Sequence, residues 1–141
     1  MNTNPDGEVK PKHTPQELVQ KKVNRMMLKL LRMRYCSHES YELESCIHDS
    51  VPAGGSHIDQ SLRRRGVKKC KPFQEALGEC LGGETHQAEL AKEAWAVTSC
   101  QQHRDDVDKC KKIRPDCGLE IAETALCGVK FLIGEEERKT L

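Results

Sequence analysis

A chain of 141 residues with 23 Lys plus Arg and 22 Asp plus Glu is nearly neutral, which excludes a strong overall field for nucleic acid or a membrane. Apolar residues make up only 36% and aromatic residues 4%, so the hydrophobic core is expected to be thin and the eight cysteines to stabilise the fold as disulfides. No apolar run reaches about 18 residues and the first residues lack the apolar core of a secretory signal, so neither a transmembrane helix nor a signal peptide is predicted.

The first predicted element is a long helix. Residues 1–13 are polar and contain two prolines, so we expect them to form a flexible arm. The next residues carry the features of a helix start: Thr14 is a capping residue, Pro15 occupies the first turn, and Glu17 completes a capping box. We expect the helix to end near residue 50, before a stretch rich in proline and glycine.

An apolar stripe with helical spacing runs along the first half of this helix, surrounded by lysines and arginines. Because the stripe lies before the first cysteine, we interpret it as an element that docks onto a partner protein, with anionic lipid head groups as the other physically possible partner. Its candidate docking residues are Val23, Met26, Met27, Leu30 and Leu31.

The middle of the chain is predicted to contain a long connection and two further helices. Residues 51–69 are expected to form the connection. The second cysteine helix begins near Pro72 and ends at a Gly-Gly pair, where the chain can turn. A third helix is expected from about His86 to Ile113.

The fourth helix is expected to run from Cys117 to about Ile133 and to end at Gly134, leaving residues 135–141 as a loose charged tail. It is apolar almost all round, and a helix of that kind is normally buried. We therefore expect another protein to cover the side that its hairpin partner leaves open, although both apolar helices packing inside this chain is the alternative. The candidate docking residues on this helix are Val129, Phe131 and Leu132.

The cysteines form four consecutive C-x9-C repeats: Cys36, Cys46, Cys70, Cys80, Cys100, Cys110, Cys117 and Cys127. On a helix, two cysteines with this spacing lie on roughly one side and about 15 Å apart, too far to bond to each other. They can each bond to a cysteine of an equally spaced pair on an antiparallel neighbour. The spacing therefore predicts helical hairpins joined by disulfides.

Other uses of these cysteines are disfavoured. Zinc sites and thiol–disulfide catalysts both favour C-x-x-C, which does not occur in this sequence. The sequence also has no glycine-rich phosphate loop, no H-E-x-x-H and no recognisable catalytic triad. We therefore expect a protein that is not an enzyme and that has no metal site and no cofactor.

The repeats resemble the twin C-x9-C, or CHCH, family of mitochondrial intermembrane-space proteins, in which two disulfides join each helical hairpin. The four-repeat pattern, with fragments such as Cys70-Lys-Pro-Phe-Gln-Glu and Asp108-Lys-Cys110, is similar to that of the quadruple C-x9-C accessory subunit of mitochondrial complex I. The resemblance implies an all-α fold of two disulfide-stapled antiparallel hairpins, here with an N-terminal amphipathic extension. It divides the chain into a first hairpin with its extension, residues 14–83, and a second hairpin, residues 84–134.

Within such hairpins, we expect the cysteines of the first repeat to bond to those of the second, and the cysteines of the third repeat to bond to those of the fourth. Cys110 and Cys117 flank a short turn at similar distances, which favours that pair together with Cys100–Cys127. The remaining cysteines give Cys36–Cys80 and Cys46–Cys70, but several paths for residues 51–69 leave these two pairs more open.

The expected function is that of a structural accessory subunit of a respiratory-chain complex, most of all complex I, located in the intermembrane space at the inner membrane. The alternatives are a mitochondrial ribosomal protein of CHCH type, for which Arg63-Arg64-Arg65 would hold phosphates, and a respiratory-complex assembly factor. The resemblance also implies transient capture by an import oxidoreductase through an apolar face beside a cysteine. The candidates for that signal are Phe73 and Leu77 beside Cys80, or Trp95 before Cys100.

Overall fold

The computed structural model describes residues 13–50 and 60–139. The arm predicted for residues 1–13 and the first half of the connection predicted for residues 51–69 therefore fall almost wholly outside the described residues. The described chain is all-α, as predicted, and has no strand. Its helices are α1 (Pro15–Arg34), α2 (Ser37–Ser50), α3 (Gln60–Lys69), α4 (Lys71–Leu81), α5 (Glu84–Trp95), α6 (Gln101–Ile113) and α7 (Gly118–Lys139).

Helix α1 begins where the sequence predicts. The Thr14 hydroxyl accepts a hydrogen bond from the Glu17 backbone N–H at 3.2 Å, and the Glu17 carboxylate accepts one from the Thr14 N–H at 2.8 Å. This reciprocal capping box satisfies two donors that the first turn would otherwise leave free. The backbone hydrogen bond from Thr14 also lowers the pKa of the Glu17 carboxyl.

The expectation of one helix over residues 14–50 is wrong, because the chain bends at Tyr35 and Cys36. The backbone N–H groups of both residues donate to the Leu31 carbonyl, which ends α1, and the Cys36 carbonyl then accepts the first bond of α2 from Ser40. The Tyr35 ring stacks on His86 with ring centroids 4.0 Å apart, and Cys36 is fully buried in its disulfide. Tertiary contacts therefore impose a bend that no proline or glycine marks.

The expectation of one helix over residues 86–113 is also wrong. Helix α5 ends at Trp95, and a short 3₁₀ turn, Thr98–Cys100, leads into α6. Val97 has extended backbone angles and a buried side chain. The Arg104 guanidinium donates to the carbonyls of Trp95 and Val97, at 2.5 Å and 2.7 Å, and so satisfies two acceptors that the break exposes.

Two further expectations are corrected. Residues 60–69 of the predicted connection form α3, which runs directly into α4 through Cys70, whose N–H donates to the carbonyls of Gly66 and Val67. Helix α7 does not end at Gly134 but continues to Lys139, so most of the predicted loose tail is helical. It continues because Ile133 and Glu136 are buried and Glu136 is paired with α1.

The hydrophobic core lies between α1, α5 and α7. Helix α1, which the sequence groups with the first hairpin, packs mainly along α7, while α5 crosses the same region. Gly128 of α7 lies against the backbone of Ala94 in α5, and a Cβ atom there would be 1.9 Å from the Ala94 carbonyl oxygen. The core cluster comprises Leu30, Leu31, Leu90, Ala94, Val97, Cys100, Val129, Leu132 and Ile133.

Candidate functional site

The four disulfides are the main chemical feature of the described chain. Their Cα–Cα distances lie between 5.8 and 6.0 Å, and all eight cysteines take part. The first repeat is bonded to the second and the third to the fourth, as expected, in the pairs Cys36–Cys80, Cys46–Cys70, Cys100–Cys127 and Cys110–Cys117.

Two of these disulfides join α2 and α4 in antiparallel order. Cys36 precedes α2 and bonds to Cys80 at the end of α4, whereas Cys46 lies late in α2 and bonds to Cys70, just before α4. Helix α3 returns the chain to the start of α4, which gives residues 60–69 a defined path. The other two disulfides join the α6 side to α7 in the same antiparallel manner.

The cysteine residues differ in how far they are buried. Cys46, Cys80 and Cys127 are half-buried, and the other five cysteines are buried. The Cys110–Cys117 disulfide is buried at both ends.

The predicted docking stripe of α1 faces the inside of the chain. Val23, Leu30 and Leu31 are at most 4% exposed, and Leu30 and Leu31 belong to the core cluster that α1 forms with α5 and α7. Met26 and Met27 are half-buried at the edge of the same core. The stripe thus has a partner within the chain, which is the alternative that the sequence left open.

The docking residues of α7 divide between two faces. Val129 and Leu132 are buried against α1 and α5, whereas Phe131 is 39% exposed. Phe131 lines an open cleft of about 430 Å³ between α6 and α7, together with Ser99, His103, Glu123, Leu126, Cys127 and Lys130. This cleft gives α7 an apolar surface that faces solvent.

A second apolar cleft, of about 390 Å³, lies between α1 and α5. Leu28, 41% exposed, and the half-buried Met27 are its main apolar residues on α1, and Ala91 faces them from α5. The outer edge of α1 therefore offers a small contact surface, although its central stripe does not.

The residues predicted for import recognition occupy different environments. Phe73 is 37% exposed and lines a surface depression beside the Cys46–Cys70 disulfide, together with Tyr41 and Lys69. Leu77 is buried on the same helix. Trp95, also 37% exposed, ends α5 and does not share a helix with Cys100.

A charged network that the sequence did not predict connects α1, α5 and α7. The Arg34 guanidinium donates to Glu93 at 2.6 Å and to Glu136 at 2.9 Å, and the Lys139 ammonium reaches Glu136 at 3.1 Å. Burial opposes the charge on Arg34, but the hydrogen bonds to Glu93 and Glu136 outweigh it and raise the pKa of Arg34. Burial likewise opposes ionisation of Glu136, but the hydrogen bonds from Lys139 and Arg34 lower its pKa overall. No local sequence signal links residues about a hundred positions apart.

Within residues 13–50 and 60–139, no helix has the length and apolarity to cross a membrane. The same residues contain no cluster of three or more His, Cys, Asp or Glu side chains placed to hold a metal ion.

Comparison with known proteins yields no match to this chain among family models, curated proteins or solved structures. The disulfide-linked helical architecture is compatible with a twin C-x9-C fold.

Proposed function

We propose that this protein is a non-catalytic structural accessory subunit of a mitochondrial respiratory-chain complex, complex I above all, on the intermembrane-space side of the inner membrane. The observation that carries the proposal is the pairing of all eight cysteines of the four C-x9-C repeats. Such a set of disulfides requires an oxidising compartment, and the repeat pattern resembles the intermembrane-space family.

The arrangement of the disulfides supports a scaffold role. They fix short helices in place, and two of the exposed apolar residues, Leu28 and Phe131, line shallow clefts on the surface. A neighbouring subunit can insert side chains into such clefts without ordering a flexible segment, which keeps the entropic cost of binding low. Phe131, in the cleft between α6 and α7, is the main proposed contact, because aromatic residues at the centre of an interface tend to dominate binding energy.

The experiment that tests this function is fractionation of gently solubilised mitochondria that express the tagged chain. We expect the chain to migrate with complex I on native gels and to become protease-sensitive when the outer membrane is opened. Migration with ribosomal RNA would instead support the ribosomal alternative, and migration with neither would support an assembly factor. Both of these outcomes overturn the proposal.

A pair of matched variants tests the contact surface. Phe131→Ser should lower the fraction of the chain found in the complex. Ile113→Ser is the control, because Ile113 is 82% exposed at the end of α6 and does not line the cleft. Equal incorporation of the two variants would remove Phe131 from the interface and leave the α1–α5 cleft as the candidate.

A further inference from the structure

Helix α3 and the residues that follow it carry the strongest local charge in the chain. Residues 60–71 contain six basic residues and no acidic one. Since the whole chain has a net charge of +1, the remaining residues sum to −5. We define the basic surface by these six residues: Arg63, Arg64, Arg65, Lys68, Lys69 and Lys71.

The cations of the basic surface are not neutralised within the described chain. None of the six takes part in an ion pair with another residue of the segments 13–50 and 60–139. Basic residues on other elements do: Lys29, Arg34, Arg114 and Lys139 each contact a carboxylate. Five of the six are exposed and Arg63 is half-buried.

The fold keeps the basic surface exposed to solvent. Gly66 is the buried residue of α3, and the disulfide at Cys70 ties the end of the helix to α2. Positions 64 and 68 lie one helical turn apart, on the side of α3 roughly opposite Gly66. Leu62 and Val67 remain 48% and 52% exposed among the cations.

The neighbouring helix has the opposite charge. Helix α2 contains four acidic residues and no Lys or Arg, namely Glu39, Glu42, Glu44 and Asp49. No ion pair among the described residues joins α2 to the basic surface. An anionic surface would therefore attract α3 and repel the carboxylates of α2, two of which, Glu42 and Asp49, line a depression with Lys69.

We propose that the basic surface of α3 binds the anionic head groups of a lipid bilayer. A cluster of four to eight Lys and Arg residues on a helix is typical of binding to anionic lipid, and exposed Leu62 and Val67 can enter the interfacial region between the head groups. A nucleic-acid surface would be expected to combine cations with aromatic side chains on which bases stack, and α3 has no aromatic residue.

This inference goes beyond the proposed function and does not depend on it, because a chain that joins no complex would still bind such a bilayer. The test uses the full-length oxidised protein in flotation with vesicles of one part phosphatidylglycerol to two parts phosphatidylcholine, and with vesicles of phosphatidylcholine alone. We expect binding only to the anionic vesicles. Raising the salt from about 0.1 M to about 0.5 M should release the protein, because screening shortens the range of charge attraction.

Two variants with equal loss of charge assign the binding to α3. The first replaces Arg63, Arg64, Arg65 and Lys68 with Gln, and the second, on exposed positions of α1, replaces Lys21, Lys22, Arg25 and Arg32 with Gln. Each Lys or Arg near an anionic surface contributes about a factor of five in affinity, so the α3 variant should bind roughly a hundredfold or more weakly. The α1 variant should retain most of the binding. Circular dichroism and a count of disulfides by mass confirm that both variants are folded.

Several results would overturn the proposal. Equal weakening by the two variants would mean that total charge, and not the basic surface, governs binding. Equal binding to neutral vesicles would remove the role of the cations. Stronger binding to single-stranded DNA or to polyglutamate, when either competes with the anionic vesicles at equal charge concentration, would assign the surface to nucleic acid or to an acidic protein.

Discussion

The two disulfide-linked parts of this molecule are stabilised in different ways. The first hairpin, α2 to α4, has two disulfides but very little buried apolar surface: α2 has no buried residue, α3 buries Gly66, and α4 buries Leu77. The second part, α1 with α5 to α7, also has two disulfides, but it buries a continuous cluster of leucine, valine and isoleucine side chains. The same cysteine spacing thus joins helices that share a hydrophobic core in the second part, and helices that have almost no core in the first hairpin.

This difference shows what the disulfides replace. A short helical hairpin exposes most of its surface and gains little from burial, so in the first hairpin the constraint on the unfolded chain is the main source of stability. In the second part, α1 is held against α7 by packing and ion pairs, with no disulfide between them. Disulfide loss is therefore expected to unfold the first part and only weaken the second.

The largest expected effect follows from removing the disulfides of one part at a time. Replacing Cys36, Cys46, Cys70 and Cys80 with Ala should unfold α2 to α4, because loops spanning 44 and 24 residues each lose a constraint worth about 3–4 kcal/mol. Hydrogen–deuterium exchange, read segment by segment, should show loss of amide protection over residues 37–50 and 60–81. Protection in α1, α5 and α7 should persist.

The reciprocal variant is the control for this comparison. Replacing Cys100, Cys110, Cys117 and Cys127 with Ala should lower the stability of the second part, but the core should keep α1 and α7 more protected than α2 is in the first variant. If α2 and α4 remain protected without their disulfides, the stability of the first hairpin has a source other than its covalent links.

The sequence predicts the covalent framework better than it predicts the helices. The spacing of the cysteines predicts disulfide-linked helical hairpins, because a fixed number of residues on a helix has a fixed geometry. The short turn between Cys110 and Cys117 favours the observed pairs of the second hairpin, whereas the expected pairs Cys36–Cys80 and Cys46–Cys70 were more open until the path of residues 60–69 was known. The capping box of α1 is likewise a local pattern with a local outcome. The sequence does not predict the bends at Tyr35 and Val97, because each depends on a residue of another helix. Tyr35 stacks on His86 of α5, and Arg104 of α6 donates hydrogen bonds to the carbonyls of Trp95 and Val97.

The burial of the α1 stripe and of α7 required information that the sequence does not contain. The sequence identifies the apolar residues of both helices, but an apolar stripe shows only that a helix is covered and not what covers it. The Arg34–Glu136 pair and the packing of α1 along α7 show that these two helices cover each other, and Gly128 brings α7 into close backbone contact with Ala94 of α5. The exposed remainder of the predicted docking residues is mainly Phe131.

The next prediction compares one substitution in the two parts. Gly128→Ala would place a Cβ atom 1.9 Å from the Ala94 carbonyl oxygen, so α5 and α7 must move apart and stability should fall by roughly 2–3 kcal/mol. Gly78→Ala in α4 is the matched change, because its Cβ atom would meet no atom within 4 Å. It should stabilise the helix by about 0.5–1 kcal/mol, the usual gain of Ala over Gly inside a helix.

Thermal unfolding of the oxidised variants measures this difference. The melting temperature should fall for Gly128→Ala and rise slightly for Gly78→Ala. A fall for both variants would mean that the helices of the first hairpin are also in close backbone contact, and the contrast between a packed and an unpacked part would be lost.

The smallest predicted effect concerns the charged network of the second part. Glu136 is 11% exposed and Arg34 19%, so their contact is screened less than a surface ion pair. Replacing Glu136 with Gln should cost about 1–2 kcal/mol at pH 7, since it removes charged hydrogen bonds to Arg34 and Lys139. Glu79→Gln on α4 is the control, because no ion pair among the described residues involves Glu79, and it should change stability by less than about 0.5 kcal/mol.

The pH dependence of the Glu136 effect has a definite sign. The pKa of Glu136 is lower in the folded chain than its ordinary value of 4.5, so the folded state favours the ionised form. Its contribution is complete above the ordinary pKa and is lost as the pH falls through the lower folded value. Arg34, whose pKa is raised, stays charged throughout this range. In urea unfolding, the difference between wild type and Glu136→Gln should therefore be constant from pH 7 to about pH 5 and shrink below about pH 4. A difference that stays constant down to about pH 3 would mean that Glu136 stabilises the α1–α7 contact by packing, and not by its charge.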